Sequence, residues 1–185
     1  MTWIQTKASF TYPLFPSAVE FNIEDIAHSL SNMCRYNGHT KYFYSVAEHS
    51  LLVASILPDK LKLEGLLHDA PEIYFTDLPA PIKGHFYVDI LDRGEKISIE
   101  EFENLLWKKI SKRWNLNSEL SAEVKQADVN VALAEKHELF DMNLRWRLEE
   151  IAEPAPVKIQ GLLPNQAKEK FLDIYQKLIE EGWHG

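Results

Sequence analysis

Apolar residues recur at intervals of three and four along most of this chain, a spacing that gathers them on one face of a helix. Ile23, Ile26, Ala27, Leu30 and Met33 form the first such stripe, with Asn22 as its N-cap and Gly38 near its expected end. Ser45 with Glu48 reads as a capping box, after which Val46, His49, Val53 and Ile56 line one face up to Pro58, so His49 points inward. Asp59 is the expected cap of a third helix. Its buried side holds Leu63, Leu66 and Leu67, and its last turns hold His68, Asp69 and Glu72, the last facing the same cavity as His68 from one turn beyond. Pro79, Pro81 and Gly84 make Thr76 to Gly84 a turn-rich connector. Ser98 and Glu101 open a further helix through Leu105, Leu106 and Ile110. A long helix is predicted from Glu119 to about Glu150, with Asp128 on one stripe with Val124, Val131 and Glu135. Beyond a loop with Pro154, Pro156 and Gly161, a last helix runs from Asn165 to Glu181, with Phe171, Ile174 and Leu178 inward.

Residues 1–19, rich in aromatics and broken by Pro13 and Pro16, read instead as an extended arm. Without repeats, low-complexity tracts or convincing alternating strands, the pattern predicts an all-α protein: one compact helical bundle over residues 1–185. A chain of 185 residues buries enough apolar surface for a single core. The arm's Trp3, Phe10, Tyr12 and Phe15 either join an oligomer contact or fold back on the core.

Charge and cysteine content narrow the chemistry. The net charge of −8 argues against a polymeric nucleic acid partner, which needs clustered Lys and Arg, but leaves room for a small anion held by local cations. Cys34 is the only cysteine, so neither an internal disulfide nor a cysteine zinc cluster can form. No apolar run approaches the roughly 18 residues that span a bilayer, and Met1 to Lys7 carries no secretory pattern. The expectation is a cytoplasmic protein without a membrane partner.

Within that frame, the pair His68–Asp69 stands out, joined by His49 on the preceding helix and Asp128 on the long one. Two imidazoles and two carboxylates suit a divalent ion such as Mn²⁺, Fe²⁺, Co²⁺, Ni²⁺, Mg²⁺ or Zn²⁺, with coordination positions left for water and substrate. Arg35 suits bidentate phosphate recognition and lies with His39 on either side of Asn37-Gly38; His39 either contacts phosphate or caps that turn. Lys83 either sets a charge against phosphate or is a solvated lysine, and Tyr36 either stacks on a base or packs in the core. His28 reads as a core residue, while His85, His137 and His184 belong to no constellation. Trp107, Trp114 and Trp146 read as core or oligomer surface.

The order His49, His68–Asp69, Asp128 resembles the HD-domain metal-dependent phosphohydrolases. The likeness extends through Phe21 to Ser31, Arg35-Tyr-Asn-Gly-His39-Thr40, Phe43 to Ser50, Leu66-Leu-His68-Asp69-Ala-Pro-Glu72 and Asp77 to Lys83, blocks similar to bacterial 5′-deoxynucleotidases and phage homologues. It covers roughly half the chain. The resemblance implies an HD-type bundle with one divalent ion on the four ligands and Glu72 holding or activating the attacking water. It also implies that Asp77, which otherwise caps the Leu-Pro turn, assists the leaving oxygen or a sugar hydroxyl, that Arg35 contacts the nucleotide phosphate, and that the protein is a homo-oligomer. The expected activity is hydrolysis of deoxynucleoside 5′-monophosphates. A deoxynucleoside triphosphate triphosphohydrolase and a non-catalytic nucleotide sensor are the alternatives, with a cyclic- or signalling-nucleotide hydrolase behind them.

Overall fold

A computed structural model describes residues 3–142 and 144–182. Helix α1 (Ile23–Asn32) starts as expected, the Asn22 side chain accepting the Glu24 N–H at 2.8 Å. It ends short of Gly38: Cys34 bridges to Ser45, and Tyr36, Asn37 and Gly38 take φ of 56°, 51° and 75°, left-handed values that cannot extend a right-handed helix. Ser45 caps α2 (Val46–Ser55) by accepting the Glu48 N–H at 3.1 Å. Only half of the predicted capping box forms. The Glu48 carboxylate leaves its own helix and accepts the N–H groups of Gln160, Gly161 and Leu162 at 2.7, 3.1 and 2.7 Å.

Helix α3 (Asp59–Leu67) is capped by Pro58 rather than Asp59, which sits in the first turn and pairs with Lys62 at 2.6 Å. It closes before the predicted end. Pro71 has no N–H to donate to Leu67, so Ala70–Tyr74 forms a separate 3₁₀ turn that carries Glu72. The connector contains one regular turn, α4 (Ala80–Lys83), because Pro79 caps it and Pro81 lies in the first turn, where no amide donor is needed.

The strands were not anticipated. Tyr87–Ile90 (β3) pairs antiparallel with Glu95–Ser98 (β4), and within the arm Ile4–Gln5 (β1) pairs with Phe10–Thr11 (β2). Strands this short show too little alternation to stand out from sequence. The β1–β2 hairpin folds back on the bundle, with the Ala8 N–H donated to Asp25 at 2.7 Å, and Trp3, Phe10, Tyr12 and Phe15 stack edge to face along it.

The full capping box of Ser98 and Glu101 opens α5 (Ile99–Trp114). Helix α6 (Ala122–Leu139) starts from Ser121 and stops well before Glu150, since Phe140 turns extended and the Leu139 carbonyl accepts the Lys41 N–H at 2.9 Å. Helix α7 (Pro164–Glu180) completes the order.

The main core gathers Ile26, Leu30, Val46, Leu66, Leu106 and Phe171, joining α1, α2, α3, α5 and α7. Trp107 and Trp114 are buried with it. A second cluster sets Val53, Leu57 and Leu61 against Val124, Ala127 and Val131, and so seats α6 on the α2–α3 pair. A second buried glutamate reinforces that seat: Glu64 of α3 accepts the Ser121 N–H at 2.6 Å and the Asn117 amide at 3.2 Å. Among the described residues, no helix is long and apolar enough to cross a membrane.

Replacing Glu48 with Ala strands three amide donors and should destabilise the fold by about 3 kcal/mol. Chemical denaturation checks this; a loss under roughly 1 kcal/mol would mean that water replaces the carboxylate.

Candidate metal centre

Three elements bring the predicted ligands together. His49 comes from the first turns of α2, His68 follows the last residue of α3, and Asp128 lies on α6. One ligand atom from each falls within 4.8 Å of the others, making a group able to hold a metal ion. His49 Nε2 is 3.0 Å from Asp128 Oδ1. Asp69 stands beside them, Oδ1 3.2 Å from His68 Nε2 and Oδ2 3.7 Å from His49 Nε2.

Both imidazoles are oriented by their outer nitrogens. His68 Nδ1 lies 2.7 Å from the Gly65 carbonyl and His49 Nδ1 2.6 Å from Glu135 Oε1. A carbonyl accepts only from N–H, so the neutral form of His68 leaves the Nε2 lone pair facing the group. The buried atoms that lack hydrogen-bond partners include His49 Nε2, His68 Nε2, Asp69 Oδ2 and Glu72 Oε2. Such orphans are costly in a folded interior, and a shared divalent ion would satisfy the first three at once, so the residues fit a metal.

Glu135 is the residue that sequence reading left without a role. It is fully buried on α6, and besides His49 it accepts Arg35 Nε at 3.0 Å, the Tyr44 hydroxyl at 2.7 Å and the Tyr36 hydroxyl. Its signal was available: an acid two turns beyond Asp128 on the same inward stripe needs a buried partner. Tyr36 accordingly packs, with its ring against Phe140 and Trp146, and Trp146 is only half-buried.

The remaining candidates divide. Arg35 reaches the centre: its terminal nitrogens lie 3.5 Å from Asp128, 3.6 Å from Asp69 and 3.9 Å from Asp77. Glu72 is buried on the 3₁₀ turn, and Lys83 Nζ stands 3.8 Å from it. His39 lies outside this web of ion pairs, exposed, with its backbone N–H closing the turn on the Tyr36 carbonyl. His85 and His137 are exposed, and His184 lies outside the described residues. An open cavity of about 740 Å³ between the β1–β2 hairpin, α1 and the 3₁₀ turn is lined by half-buried His28 and by none of the metal-site side chains.

Electrostatics separate the acids. Burial opposes ionisation of Asp128 and Glu135, yet His49 and Arg35 outweigh it and hold both well below the usual carboxylate range. Burial, with Asp69 and Asp77 as like charges, pushes Glu72 well up despite Lys83 and Arg35. Asp77 is raised as well, chiefly by burial. Burial and Arg35 push His49 down, but Glu135 and Asp128 prevail and carry it up to about 9.

Two outcomes follow from this geometry. Glu135→Gln keeps the shape but weakens the hold on His49, and should lower metal affinity roughly 10- to 100-fold in a chelator competition. Because folding raises the His49 pKa from 6.5 to about 9, its stabilisation is complete below pH 6.5 and is lost as pH climbs through 9. Metal-stripped protein should therefore lose on the order of 3 kcal/mol across that window in denaturant titrations, and a bound ion, which keeps His49 deprotonated, should flatten the curve.

No family model matches the chain. The uncharacterised protein YfdR of Escherichia coli is 35% identical over 160 residues, covering 85% of this chain and 84% of its own length. An uncharacterised protein of Rhodobacter capsulatus is 33% identical over 165 residues, 80% of this chain and 78% of the relative. Identity at that level across most of both proteins places this chain in the same family as YfdR.

Proposed function

We propose that this helical bundle is of the HD-domain type and that it is a metal-dependent phosphohydrolase acting on deoxynucleoside 5′-monophosphates. The observation that carries the reading is the convergence of unpartnered buried atoms from His49, His68 and Asp69 beside a buried Glu72. His49, His68, Asp69 and Asp128 would hold one divalent ion; Mn²⁺, Co²⁺, Fe²⁺, Ni²⁺, Mg²⁺ and Zn²⁺ all suit this donor set. When bound, such an ion supplies Lewis-acid polarisation of a phosphoryl oxygen and makes water more acidic.

The chain's own groups account for the remaining steps. Glu72 Oε2 has no hydrogen-bond partner, which leaves it free to accept a proton from attacking water. Arg35 is anchored through Nε on Glu135, while its terminal nitrogens keep only contacts of 3.5 Å and longer, which leaves them able to take phosphate oxygens. Asp77 shares Arg35 at 3.9 Å and would assist the departing sugar oxygen. The cations that contact the site's acids are Arg35 and Lys83, a modest complement that suits one phosphate group better than three.

The test is product analysis. Metal-stripped protein, re-supplied with each metal in turn, is given every deoxynucleoside mono- and triphosphate. Orthophosphate from monophosphates supports the reading, triphosphate released from triphosphates moves the protein to the rival hydrolase class, and tight binding without turnover makes it a sensor. Asp69→Asn should abolish turnover with the helical circular dichroism intact, and retained rates with bound metal would sink the site assignment. Glu72→Gln should lower kcat by roughly 100-fold or more while metal affinity stays within a few-fold.

A further inference from the structure

Glu103 belongs neither to the ligand set nor to the groups that meet the phosphate, yet it controls one of the site's two cations. It lies on α5, directly after Phe102, whose buried ring packs against Phe75 beside the 3₁₀ turn with centroids 5.8 Å apart. That contact fixes α5 against the segment that carries Glu72. Glu103 Oε1 then reaches Lys83 Nζ at 2.7 Å, well inside the 3.8 Å that separates Lys83 from Glu72. The three side chains are largely buried, at 18%, 24% and 7% exposed for Glu103, Lys83 and Glu72, so solvent screens the pair little. Burial works against the Lys83 ammonium, but Glu103 and then Glu72 outweigh it and raise its pKa, so the charge persists and is held in place.

A partly buried ammonium in contact with one carboxylate and near another projects little positive field. Arg35, the second cation, is met by Glu135, Asp69, Asp77 and Asp128. A phosphate monoester brings a charge that one divalent ion can balance, whereas each further phosphoryl group adds charge that further cations, of the protein or carried with the substrate, must meet. We infer that Glu103 is a specificity-determining residue, which by holding and neutralising Lys83 restricts the site to a single phosphate group and excludes di- and triphosphates. The inference rests on the phosphohydrolase reading and adds to it the residue that sets phosphate number.

The experiment compares wild type, Glu103→Gln and Glu103→Asp, each loaded with Mn²⁺. The readouts are kcat and KM for deoxynucleoside mono- and triphosphates, and calorimetric binding of orthophosphate and tripolyphosphate. Glu103→Gln frees the Lys83 charge and should shift both preferences toward the triphosphate form by roughly tenfold, through KM rather than kcat. Glu103→Asp keeps the charge and should stay near wild type. The Lys83→Met/Glu103→Gln double variant, which removes the pair as a neutral unit, should keep the wild-type ratio, a result that a merely structural role of Glu103 would not produce. An unchanged ratio in Glu103→Gln, or a double variant that keeps the Glu103→Gln shift, overturns the inference. If wild type hydrolyses no nucleotide with any metal, the phosphohydrolase reading fails, and the tripolyphosphate-to-orthophosphate ratio still decides the role of Glu103. Should Glu103→Gln not fold, the Lys83→Met/Glu103→Gln double variant decides: a wild-type ratio supports neutralisation, and a selective loss for tripolyphosphate overturns it.

Discussion

The Glu135 carboxylate, fully buried on α6, is the interaction around which the site is arranged. An ionised acid cannot sit in that interior unpartnered, and its partners are the His49 ring, the Arg35 guanidinium and the hydroxyls of Tyr36 and Tyr44. Those four come from α2 and the segment leading into it, so one carboxylate ties α6 to the side of α2 that carries His49. It also supports the left-handed turn: two successive non-glycine residues, Tyr36 and Asn37, hold positive φ at a cost on the order of 1 kcal/mol each, and the Tyr36 hydroxyl bond helps offset it.

Two further buried glutamates extend the same device. Glu48 gathers three amides of the 160–162 loop, and Glu64 holds the segment before α6. Each replaces water with oriented amide donors, backbone N–H groups for Glu48 and one backbone N–H with the Asn117 side-chain amide for Glu64, an arrangement that satisfies a buried carboxylate without a counter-ion. Glu64, with the apolar seam between α2–α3 and α6, helps determine where Asp128 stands relative to the two imidazoles, while Glu48 fixes the loop that leads into α7.

Around the centre, acids outnumber cations. Asp69, Glu72, Asp77 and Asp128 share Arg35 and Lys83, and Lys83 is itself claimed by Glu103. The two ends of this group differ: His49, His68 and Arg35 outweigh burial at Asp128, whereas burial and the like charges of Asp69 and Asp77 prevail at Glu72.

Much of this was legible in the sequence, and the division follows the range of each signal. Caps and stripes act within one or two turns, so Asn22, Ser45, Ser98 and the inward faces of α1, α2, α5 and α7 could be placed from neighbouring residues alone. The ligand residue types and their order were equally visible. Helix ends were read less well: Gly38 and Glu150 were plausible local stops, but α1 and α6 end where the chain meets Ser45 and Lys41. Glu48 shows the limit most clearly, since its sequence neighbours predict a capping box while its carboxylate serves amides more than 110 residues away. Glu135 showed only its place on the inward stripe of α6, without its partners, and Glu103 had no local signature. Sequence alone determined where most of the helices begin and which side chains can bind a cation; only the tertiary structure decided where α1, α3 and α6 end and which buried charges meet, because desolvation makes partners of groups that neighbouring residues do not specify.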